Sequence, residues 1–340
     1  MACFIVTGGT GFVGKALATA LKERGDEVWS LSRSDAPQLR ELGINTLQAD
    51  LSAGLDSCVE VFERADAVFH VAAKVDMWGK YEDFFASNVV GTRNVIEACK
   101  KGGVKRLVYT SSPSVVADGT DLCGVNEDYP YPAQHDAFYP ATKAMAEREV
   151  LAENGKDGLL TCALRPHLIF GPGDTNLIPT VLERAKAGRL ARIGDGSNLV
   201  DICFIRDCVR AHLLAEQALR ENKDAAGRAY FISQAEPVKL WAWIDDVVTR
   251  SGLEPISKKY PKSVALALAR VFEFFAKVLP GQREPLFTHF LVSEMATSHY
   301  FDLSNAKKFL GFEPQYSVAE AMEITFQNQS QEEKAVSSAA

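Results

Sequence analysis

The sequence predicts an α/β protein in which a doubly wound parallel sheet is joined to a smaller, mostly helical C-terminal substrate domain. Short apolar runs alternate with amphipathic stretches over residues 1–170, which is the pattern of successive βαβ units. A glycine-rich turn, Thr7–Gly14, follows the first apolar run and opens the first helical stretch. Beyond residue 235 the apolar periodicity is mostly helical. Together these features predict a Rossmann-type sheet.

The individual elements follow from periodicity and from the residues that end helices. Strands are predicted at 4–6, 28–31, 46–48, 67–72, 106–110 and 160–165. Helices are predicted between them at 13–24, 55–64, 84–101 and 138–153, and Gly102-Gly103 ends the third of these. Further helices are predicted at 177–186, 208–219, 240–251, 263–279, 286–295, 304–310 and 318–326, with strands near 193, 202–205 and 229–233.

These elements divide the chain into two predicted domains. The nucleotide-binding domain takes residues 1–172 and is rejoined by 199–235. The substrate domain takes 173–198 and 236–327. The polar residues 328–340 are predicted to form a flexible tail.

The composition excludes several classes of function. A net charge of −7 argues against a nucleic-acid partner, which requires a basic surface. The seven cysteines are an odd number without Cys-x-x-Cys spacing, so we expect small buried side chains in a reducing cytoplasm and no metal site. The first residues run directly into the glycine-rich turn, so no signal peptide is predicted. No stretch has the length of a bilayer span.

The glycine-rich turn predicts a dinucleotide site. It contains Gly-x-Gly-x-x-Gly between a strand and a helix, where glycines allow the backbone to approach a pyrophosphate and the helix N-terminus attracts its charge. The predicted cofactor-binding residues of this turn are Gly8, Thr10, Gly11, Phe12, Val13 and Gly14.

The end of the second strand predicts which dinucleotide binds. An NAD site usually has an acid there to hold the ribose hydroxyls, whereas this chain has Ser32 and Arg33. A guanidinium and a hydroxyl suit a 2′-phosphate, so NADP(H) is favoured, with NAD(H) as the alternative because Asp35 is close by. The positions after the third and fourth strands are also expected to meet the cofactor: Asp50, Leu51, Ala72 and Ala73.

A tyrosine, a lysine and a serine predict the chemistry. Tyr139 and Lys143 are four residues apart in a predicted helix, so both side chains reach one small volume. We expect the ammonium and an oxidised nicotinamide to lower the pKa of the phenol toward the working range, as general acid–base catalysis requires. Ser112, which follows an apolar strand, would hold the substrate oxygen beside the phenol. Ser111 and Ser114 are the alternatives near the same strand end.

The chain resembles the extended short-chain dehydrogenase/reductases, and among them the 3β-hydroxysteroid dehydrogenase type. The motifs that carry the resemblance are Thr7–Gly14, Asp50-Leu51, the run 70–73, the run 88–94, the run 109–112, Tyr139 with Lys143, the run 164–174, the run 204–212 and the run 309–314. In that family the matching Ser112, Tyr139 and Lys143 form the catalytic triad. The resemblance also implies that Ser111 faces the cofactor, that Tyr139 and Lys143 contact it, and that Pro166 and Ile169 line the nicotinamide.

Within this family the chain is most similar to bacterial reductases of 2-alkyl-3-oxoalkanoates. This closer likeness rests on the runs 73–79, 112–115 and 194–198. Where the family's nucleotide-sugar epimerases usually carry Tyr-Gly, this chain has Val116-Ala117, which counts against a nucleotide-sugar substrate. Sterol dehydrogenases share much of the likeness, so the identity of the substrate stays open between the two classes.

One helix of the second domain has a wide apolar arc. In 263–279, Arg270, Glu273 and Lys277 fall on one narrow stripe. The arc is interpreted first as core or as a homodimer contact. A roof over an apolar substrate pocket and a peripheral membrane contact are the alternatives.

The sequence thus predicts an NADP(H)-dependent oxidoreductase that interconverts a 3-oxo and a 3-hydroxy group on a bulky apolar, lipid-like substrate. A 2-alkyl-3-oxoalkanoate is the favoured substrate, and a 3β-hydroxysteroid or sterol-4α-carboxylate is the alternative. More distant alternatives are a non-catalytic NADP-sensing protein, which would not need the tyrosine and lysine, and a nucleotide-sugar epimerase, which would need a polar second domain. The protein is expected in the cytoplasm, with or without membrane association.

Overall fold

A seven-stranded parallel sheet forms the centre of the protein, as the computed structural model shows for the residues it describes, 1–278, 285 and 287–327. The strands, in chain order, are β1 Cys3–Thr7, β2 Glu27–Ser32, β3 Asn45–Gln48, β4 Ala67–His70, β5 Arg106–Thr110, β6 Leu122–Val125, β7 Leu160–Pro166, β8 Ile169–Phe170, β9 Arg192–Ile193, β10 Leu199–Val200, β11 Cys203–Phe204, β12 Arg228–Ile232, β13 Val238–Lys239, β14 Lys259–Tyr260 and β15 His299–Phe301. The large sheet has the order β12-β7-β5-β4-β1-β2-β3.

Helices cover both faces of this sheet. They are α1 Phe12–Glu23, α2 Pro37–Glu41, α3 Val59–Arg64, α4 Tyr81–Phe84, α5 Gly91–Gly102, α6 Phe138–Ala152, α7 Leu177–Lys186, α8 Ile205–Glu221, α9 Leu240–Arg250, α10 Lys262–Val278, α11 His289–Ala296 and α12, residues 318–327. No helix within the described ranges combines the length and the apolar character that crossing a bilayer demands.

The central strands are apolar on both sides because each face of the sheet is covered. In β1, Phe4 and Val6 belong to the core on one face and Ile5 to the core on the other, and all three are buried. Helices α1 and α8 pack together on one side, while α3 and α5 pack together on the other. This arrangement explains the continuous apolar runs, which parallel strands buried on both faces require. The predicted doubly wound α/β fold is confirmed.

The topology places the ligand site at one edge of the sheet. Strand β1 lies between β2 and β4, and all three are parallel. Strands β2 and β3 are added on one side of β1 and the later strands on the other, so the order of strand addition reverses between β1 and β4. The last residues of these strands, Thr7 and His70, are paired in register. Ligands of open parallel sheets bind beyond the carboxyl ends of the strands at such a switch point.

Most of the predicted elements are present, and two of them are corrected. The predicted strand 67–72 ends at His70, because the N–H groups of Val71 and Ala72 donate to Thr7 Oγ1 instead of to a neighbouring strand. The predicted helix 84–101 is three segments, α4, a π-helical turn at Phe85–Val90, and α5. A π turn of this kind is common at functional sites.

A small second sheet connects distant parts of the chain. Its order is β13-β10-β15-β6, so it combines β6 from the first half with β15 from near the end. Asp201, which follows β10, accepts hydrogen bonds from Ser233 at the end of β12 and from the N–H of Phe301 in β15. This carboxylate therefore joins the large sheet to the small one. The predicted division into domains stays a prediction, and the predicted tail lies outside the described residues.

Candidate active site

The glycine-rich loop between β1 and α1 is packed too tightly to accept side chains. A Cβ atom at Gly8 would lie 2.8 Å from the Cα atom of Ala72, and one at Gly9 would lie 2.2 Å from Ser30 Oγ. A Cβ atom at Gly14 would lie 2.2 Å from the carbonyl oxygen of Gly8. Because these positions carry no side chains, the loop lies directly against β2 and against the chain that leaves β4.

The first turn of α1 is left open to a ligand by the same loop. Its N-cap residue, Gly11, has no side chain with which to bond the first N–H groups, and both Thr10 and Gly11 are exposed. Unpaired N–H groups at a helix N-terminus bind phosphate. The residues present therefore fit the pyrophosphate of a dinucleotide, and the loop brings together the predicted Gly8, Thr10, Gly11, Phe12, Val13 and Gly14.

A buried histidine organises the junction of β1 and β4. His70 Nδ1 lies 2.7 Å from Thr7 Oγ1, and Nε2 lies 2.9 Å from Thr92 Oγ1. Burial, with a smaller effect from the charge of Lys143, lowers the pKa of His70 to about 3, so the imidazole is neutral. Thr92 donates its own proton to the carbonyl of Asn88, and its oxygen therefore accepts from His70. From the sequence, His70 and Asn88 are indicated only as members of the motifs at 70–73 and 88–94.

The end of β2 carries the groups predicted to select the cofactor. Asp35 is held in an ion pair by Arg40, while Arg33 is exposed and forms no hydrogen bond through its guanidinium within the described residues. Hydrogen bonds from Ser52 lower the pKa of Asp50, and the charge of Arg33 lowers it further. Arg33 and Asp50 therefore lie close enough to act on one ligand. Ser32 instead donates its hydroxyl to a backbone carbonyl two residues on.

Tyr139 lies in the first turn of α6, which begins at Phe138 as predicted. Proline at the third position of the helix is tolerated there because first-turn N–H groups have no partner within the helix. Ser112, just beyond β5, lies beside the phenol, where its hydroxyl favours the phenolate and so opposes the rise in the pKa of Tyr139. Ser114 donates both its N–H, at 3.2 Å, and its hydroxyl, at 2.9 Å, to Ser112 Oγ. Ser112 can therefore donate its own proton toward the phenol or a substrate oxygen.

Lys143 is buried behind the tyrosine, one turn along α6. Its Nζ atom donates to the carbonyl of Thr110 over 2.5 Å and lies 4.2 Å from the centre of the Tyr109 ring. Burial lowers the pKa of Lys143 to about 7, against the opposing charge of Glu147. The side-chain amine of Lys143 is therefore only partly protonated at neutral pH.

The predicted lowering of the Tyr139 pKa by the ammonium of Lys143 is not found, while the predicted effect of an oxidised nicotinamide stays a prediction. Burial raises the pKa of Tyr139, the hydrogen bond from Ser112 opposes this, and the charge of Glu294 adds to it. Lys143 does not contribute because its ammonium is directed to Thr110 and loses charge on burial. The tyrosine is thus protonated at neutral pH, which is the state of a proton donor.

A buried ion pair lies behind Lys143. Arg165 Nε and Nη2 donate to the two carboxylate oxygens of Glu147 at 3.0 and 2.6 Å, and the Tyr131 hydroxyl donates to the same carboxylate at 2.5 Å. Although burial opposes it, Arg165 holds the pKa of Glu147 below its ordinary value. Sequence reasoning missed this group, although the spacing of Tyr139, Lys143 and Glu147 at intervals of four along one helix face could have revealed it.

The remaining predicted cofactor residues line the same edge of the sheet. Ala72 and Ala73 are half-buried after β4, and the carbonyl of Leu51 accepts from Asn94 at 2.6 Å. Ser111 is buried, and its hydroxyl has no hydrogen-bond partner among the described residues. Pro166 and Ile169 flank the end of β7, where Leu168 turns the chain with a left-handed φ of 44°.

The second half of the chain contributes a group that the sequence did not indicate. His167 Nε2 lies 2.6 Å from His299 Nδ1, and His299 Nε2 lies 2.8 Å from the carbonyl of Glu294 in α11. The carboxylate of Glu294 acts electrostatically on Tyr139, so the end of α11 lies near the phenol. His167 is buried in this contact, as expected of a structural histidine.

An open helix N-terminus, a serine just beyond β5, and a tyrosine and a lysine on α6 define the class of the protein: an NAD(P)-dependent oxidoreductase on a Rossmann-type fold. Comparison with known proteins agrees. The chain belongs to the 3-beta hydroxysteroid dehydrogenase/isomerase family, whose model matches residues 5–262. The family resemblance and the enzyme class predicted from the sequence are confirmed. No group of three potential ligand side chains able to hold a metal ion occurs among the described residues.

Two kinds of relatives are prominent. The chain is 40% identical to a 2-alkyl-3-oxoalkanoate reductase of Stenotrophomonas maltophilia over 94% of this chain and 96% of the relative. It is 35% identical to the human decarboxylating sterol-4-alpha-carboxylate 3-dehydrogenase, over 95% of this chain and 87% of the relative.

Solved structures show the same fold. The structure of gox2253 matches with a TM-score of 0.76 and 28% identity, over 96% of this chain and 98% of that one. The epimerase Mth375 of Methanothermobacter thermautotrophicus has the same TM-score at 22% identity, over 99% of this chain and 94% of that one. The second likeness concerns the fold alone.

Proposed function

We propose that this protein is an NADPH-dependent reductase of 2-alkyl-3-oxoalkanoates, with Ser112, Tyr139 and Lys143 as its catalytic residues. The observation that carries the proposal is the placement of Ser112 beside a protonated Tyr139, with the buried Lys143 one turn along the helix and a loop that fits a dinucleotide at the same edge of the sheet. When bound, the nicotinamide cofactor supplies the hydride that reduces the carbonyl carbon.

The side chains of this protein would handle the substrate oxygen and its proton. Ser112 donates a hydrogen bond to the oxygen and orients it, because the hydroxyl of Ser114 already donates into Ser112 Oγ. Tyr139 then donates its phenolic proton to the same oxygen as negative charge develops there. Lys143 contacts the nicotinamide ribose and assists return of the proton to Tyr139. In the reverse direction the same groups would act as base and hydrogen-bond acceptors.

The choice of NADP(H) over NAD(H) rests on charge at the end of β2. Arg33 is exposed there, while Asp35, which could otherwise hold ribose hydroxyls, is engaged by Arg40. A guanidinium binds a phosphate through charge-assisted hydrogen bonds. The other predicted cofactor contacts are part of this proposal: Gly8, Thr10, Gly11, Phe12, Val13, Gly14, Ser32, Asp50, Leu51, Ala72, Ala73, Ser111, Pro166 and Ile169.

The substrate class rests on the relatives. The reductases at 38–40% identity are named for 2-alkyl-3-oxoalkanoates, and the sterol dehydrogenases follow at 34–35%. Both kinds of name describe a 3-oxo or 3-hydroxy group on a bulky apolar framework. A sterol is therefore the second candidate substrate. All seven cysteines are free, which supports a cytoplasmic location.

The experiment that tests this function is a substrate panel. The purified protein is given NADPH with 2-alkyl-3-oxo acids of increasing chain length and, separately, with 3-ketosteroids, and loss of NADPH absorbance is followed. We expect consumption with the ketoacids. Consumption with the steroids alone would replace the proposed substrate by the second candidate, and no consumption with either would overturn the reductase assignment.

A further inference from the structure

Lys74 leaves the sheet at the edge that holds the candidate active site. Strands β4 and β5 are parallel neighbours, and their residues His70 and Tyr109 are paired in register. Lys74 comes four residues after His70, and Ser112 comes three residues after Tyr109. Because the strands are parallel, the two segments leave the same edge of the sheet side by side. Lys74 is therefore on the segment next to the one that carries Ser112.

The backbone of Lys74 is fixed to α6, the helix that carries Tyr139 and Lys143. Asn88 Oδ1 accepts from the N–H of Lys74 at 2.7 Å, and Asn88 Nδ2 donates to the carbonyl of Lys74 at 3.0 Å. The same Nδ2 atom donates to Thr142 Oγ1 at 3.1 Å. Since the side chains of Asn88 and Thr142 are buried, this link holds the start of the Lys74 side chain at a constant place relative to α6.

The side chain of Lys74 packs on the aromatic residues next to Tyr139. Its Nζ atom lies 5.2 Å from the centre of the Phe84 ring, and the centres of the Phe84 and Phe138 rings are 6.3 Å apart. Phe138 immediately precedes Tyr139 in the first turn of α6 and is 46% exposed. A Cβ atom at Gly79 would lie 3.8 Å from Lys74 Cε, so the chain passes directly beside the lysine side chain.

The ammonium of Lys74 can exchange its partner. It forms an ion pair with Asp76, and the two side chains are 28% and 60% exposed respectively. An exposed pair of this kind contributes little to stability because water screens it, so an incoming carboxylate can replace Asp76 at small cost. Lys143 and Arg165, by contrast, are buried and bonded to groups of the protein.

A second charge near the phenol has the opposite sign. Glu294, in the last turn of α11, acts electrostatically on Tyr139. An anionic group of a substrate is repelled by this carboxylate and attracted by the ammonium of Lys74. An acid bound with its carbonyl oxygen at Tyr139 would therefore turn its own carboxylate away from Glu294 and toward Lys74.

We propose that Lys74 binds the carboxylate of the substrate and so determines specificity for acids over neutral ketones. The inference rests on the proposed function, since the carboxylate of a 2-alkyl-3-oxoalkanoate is attached to the carbon beside its carbonyl. With the carbonyl oxygen held by Ser112 and Tyr139, this short spacing brings the carboxylate into the same small volume. The ammonium then exchanges Asp76 for the substrate in a charge-assisted hydrogen bond.

The test compares an acid with its methyl ester in the reverse direction, in which the starting acid is stable. The protein is given NADP⁺ with 2-butyl-3-hydroxyoctanoate or with its methyl ester, and formation of NADPH is followed. In Lys74→Met, which keeps an apolar stem and removes the charge, kcat/KM for the acid should fall by at least about tenfold, the usual worth of a hydrogen bond to a charged group. The change should be in KM, because the contact is made equally in the ground state and the transition state.

The same variant should oxidise the ester as well as the wild type does, and Lys74→Arg should retain the preference for the acid. Lys80→Met is the matched control, since Lys80 is an exposed lysine just before α4 and its loss removes the same charge from the same segment.

Three results would overturn the role of Lys74: an equal loss of acid preference in Lys80→Met, an equal effect of Lys74→Met on acid and ester, or a weaker binding of NADPH by Lys74→Met in a fluorescence titration. Oxidation of both compounds by the wild type without a preference for the acid would keep the oxidoreductase and overturn the role of Lys74. Oxidation of neither compound would overturn the proposed function, and the role of Lys74 with it.

Discussion

The surroundings of Tyr139 shift the pKa of its phenol in opposite directions. Burial and the charge of Glu294 favour the neutral phenol, while Ser112 stabilises the phenolate. Replacing Tyr139 by Phe keeps the ring and removes the proton. We expect turnover to fall by at least about a hundredfold, the usual contribution of a general acid, while the dissociation constant of NADPH changes little.

The measurement is steady-state turnover together with a fluorescence titration of NADPH. Tyr129→Phe is the control, because the Tyr129 hydroxyl bonds Asp118 in an exposed loop. Turnover of Tyr139→Phe close to that of the wild type would remove the phenol from the mechanism.

Glu147 is expected to act on catalysis through Lys143. Its carboxylate raises the pKa of the lysine, which burial lowers to about 7. If the charged lysine is the active form, activity falls as the pH rises through this pKa. Without the carboxylate in Glu147→Gln, the pKa falls further, so the basic limb of the pH–turnover profile should move to lower pH.

Glu149→Gln is the matched control for this profile, since Glu149 is on the same helix but forms an exposed pair with Arg93. Thermal unfolding is recorded in parallel, because Glu147→Gln also leaves the buried Arg165 without its ion-pair partner. A loss of stability with an unmoved pH profile would mean that Glu147 has a structural role alone.

Arg33 is expected to determine the preference between cofactors. Its replacement by Asp removes the guanidinium and adds an acid that can hold ribose hydroxyls. The ratio of kcat/KM for NADPH to that for NADH should fall by at least about tenfold, which corresponds to about 1.4 kcal/mol. Arg220→Asp, at an exposed pair elsewhere, should leave the ratio unchanged. An equal ratio in Arg33→Asp would show that Arg33 does not contact the cofactor.

At the scale of elements, the entrance of α1 depends on the absence of side chains. A Cβ atom at Gly14 would lie 2.2 Å from the carbonyl of Gly8, so in Gly14→Ala the helix must move away from the loop. We expect affinity for both NADPH and NADH to fall by at least about tenfold, because the helix N-terminus no longer meets the pyrophosphate. Calorimetric titration with each cofactor measures this. Unchanged affinity would place the phosphates elsewhere.

The elements also show what periodicity can and cannot predict. Helix α7 has the predicted bounds of 177–186, and α6 begins at the predicted Phe138. The break of the helix 84–101 was not predicted, because the π turn arises where Asn88 bonds the backbone of Lys74 on another segment. Short strands such as β10 and β13 were also missed, since two residues carry no periodic signal.

At the scale of the whole molecule, Asp201 joins the two sheets at a cost in stability. Burial raises the pKa of Asp201 from 3.8 to about 6. Between these values the unfolded chain releases the proton and the folded chain keeps it, so stability falls as the pH rises. Above about pH 6 the loss of folding stability is complete. It is at most about 3 kcal/mol, because the pKa of Asp201 is shifted by about two units.

Near pH 4, the free energy of unfolding of Asp201→Asn should therefore equal that of the wild type or be smaller. Between pH 4 and 7, the free energy of unfolding of the variant should increase relative to that of the wild type. An amide oxygen can still accept from Ser233 and Phe301. Chemical unfolding at a series of pH values measures the difference. A difference that does not vary with pH would show that Asp201 does not titrate in this range.

The sequence by itself determined the parallel α/β fold, the phosphate-binding turn and the grouping of Tyr139 with Lys143, because each depends on residues close together along the chain. Only the tertiary structure decided the protonation of Tyr139 and Lys143, the ion pair of Glu147 with Arg165, and the exposure of apolar side chains such as Phe274 on α10. Those properties depend on burial and on partners that are remote in sequence. Glu294 approaches Tyr139 from more than a hundred residues away, and no local pattern encodes such a contact.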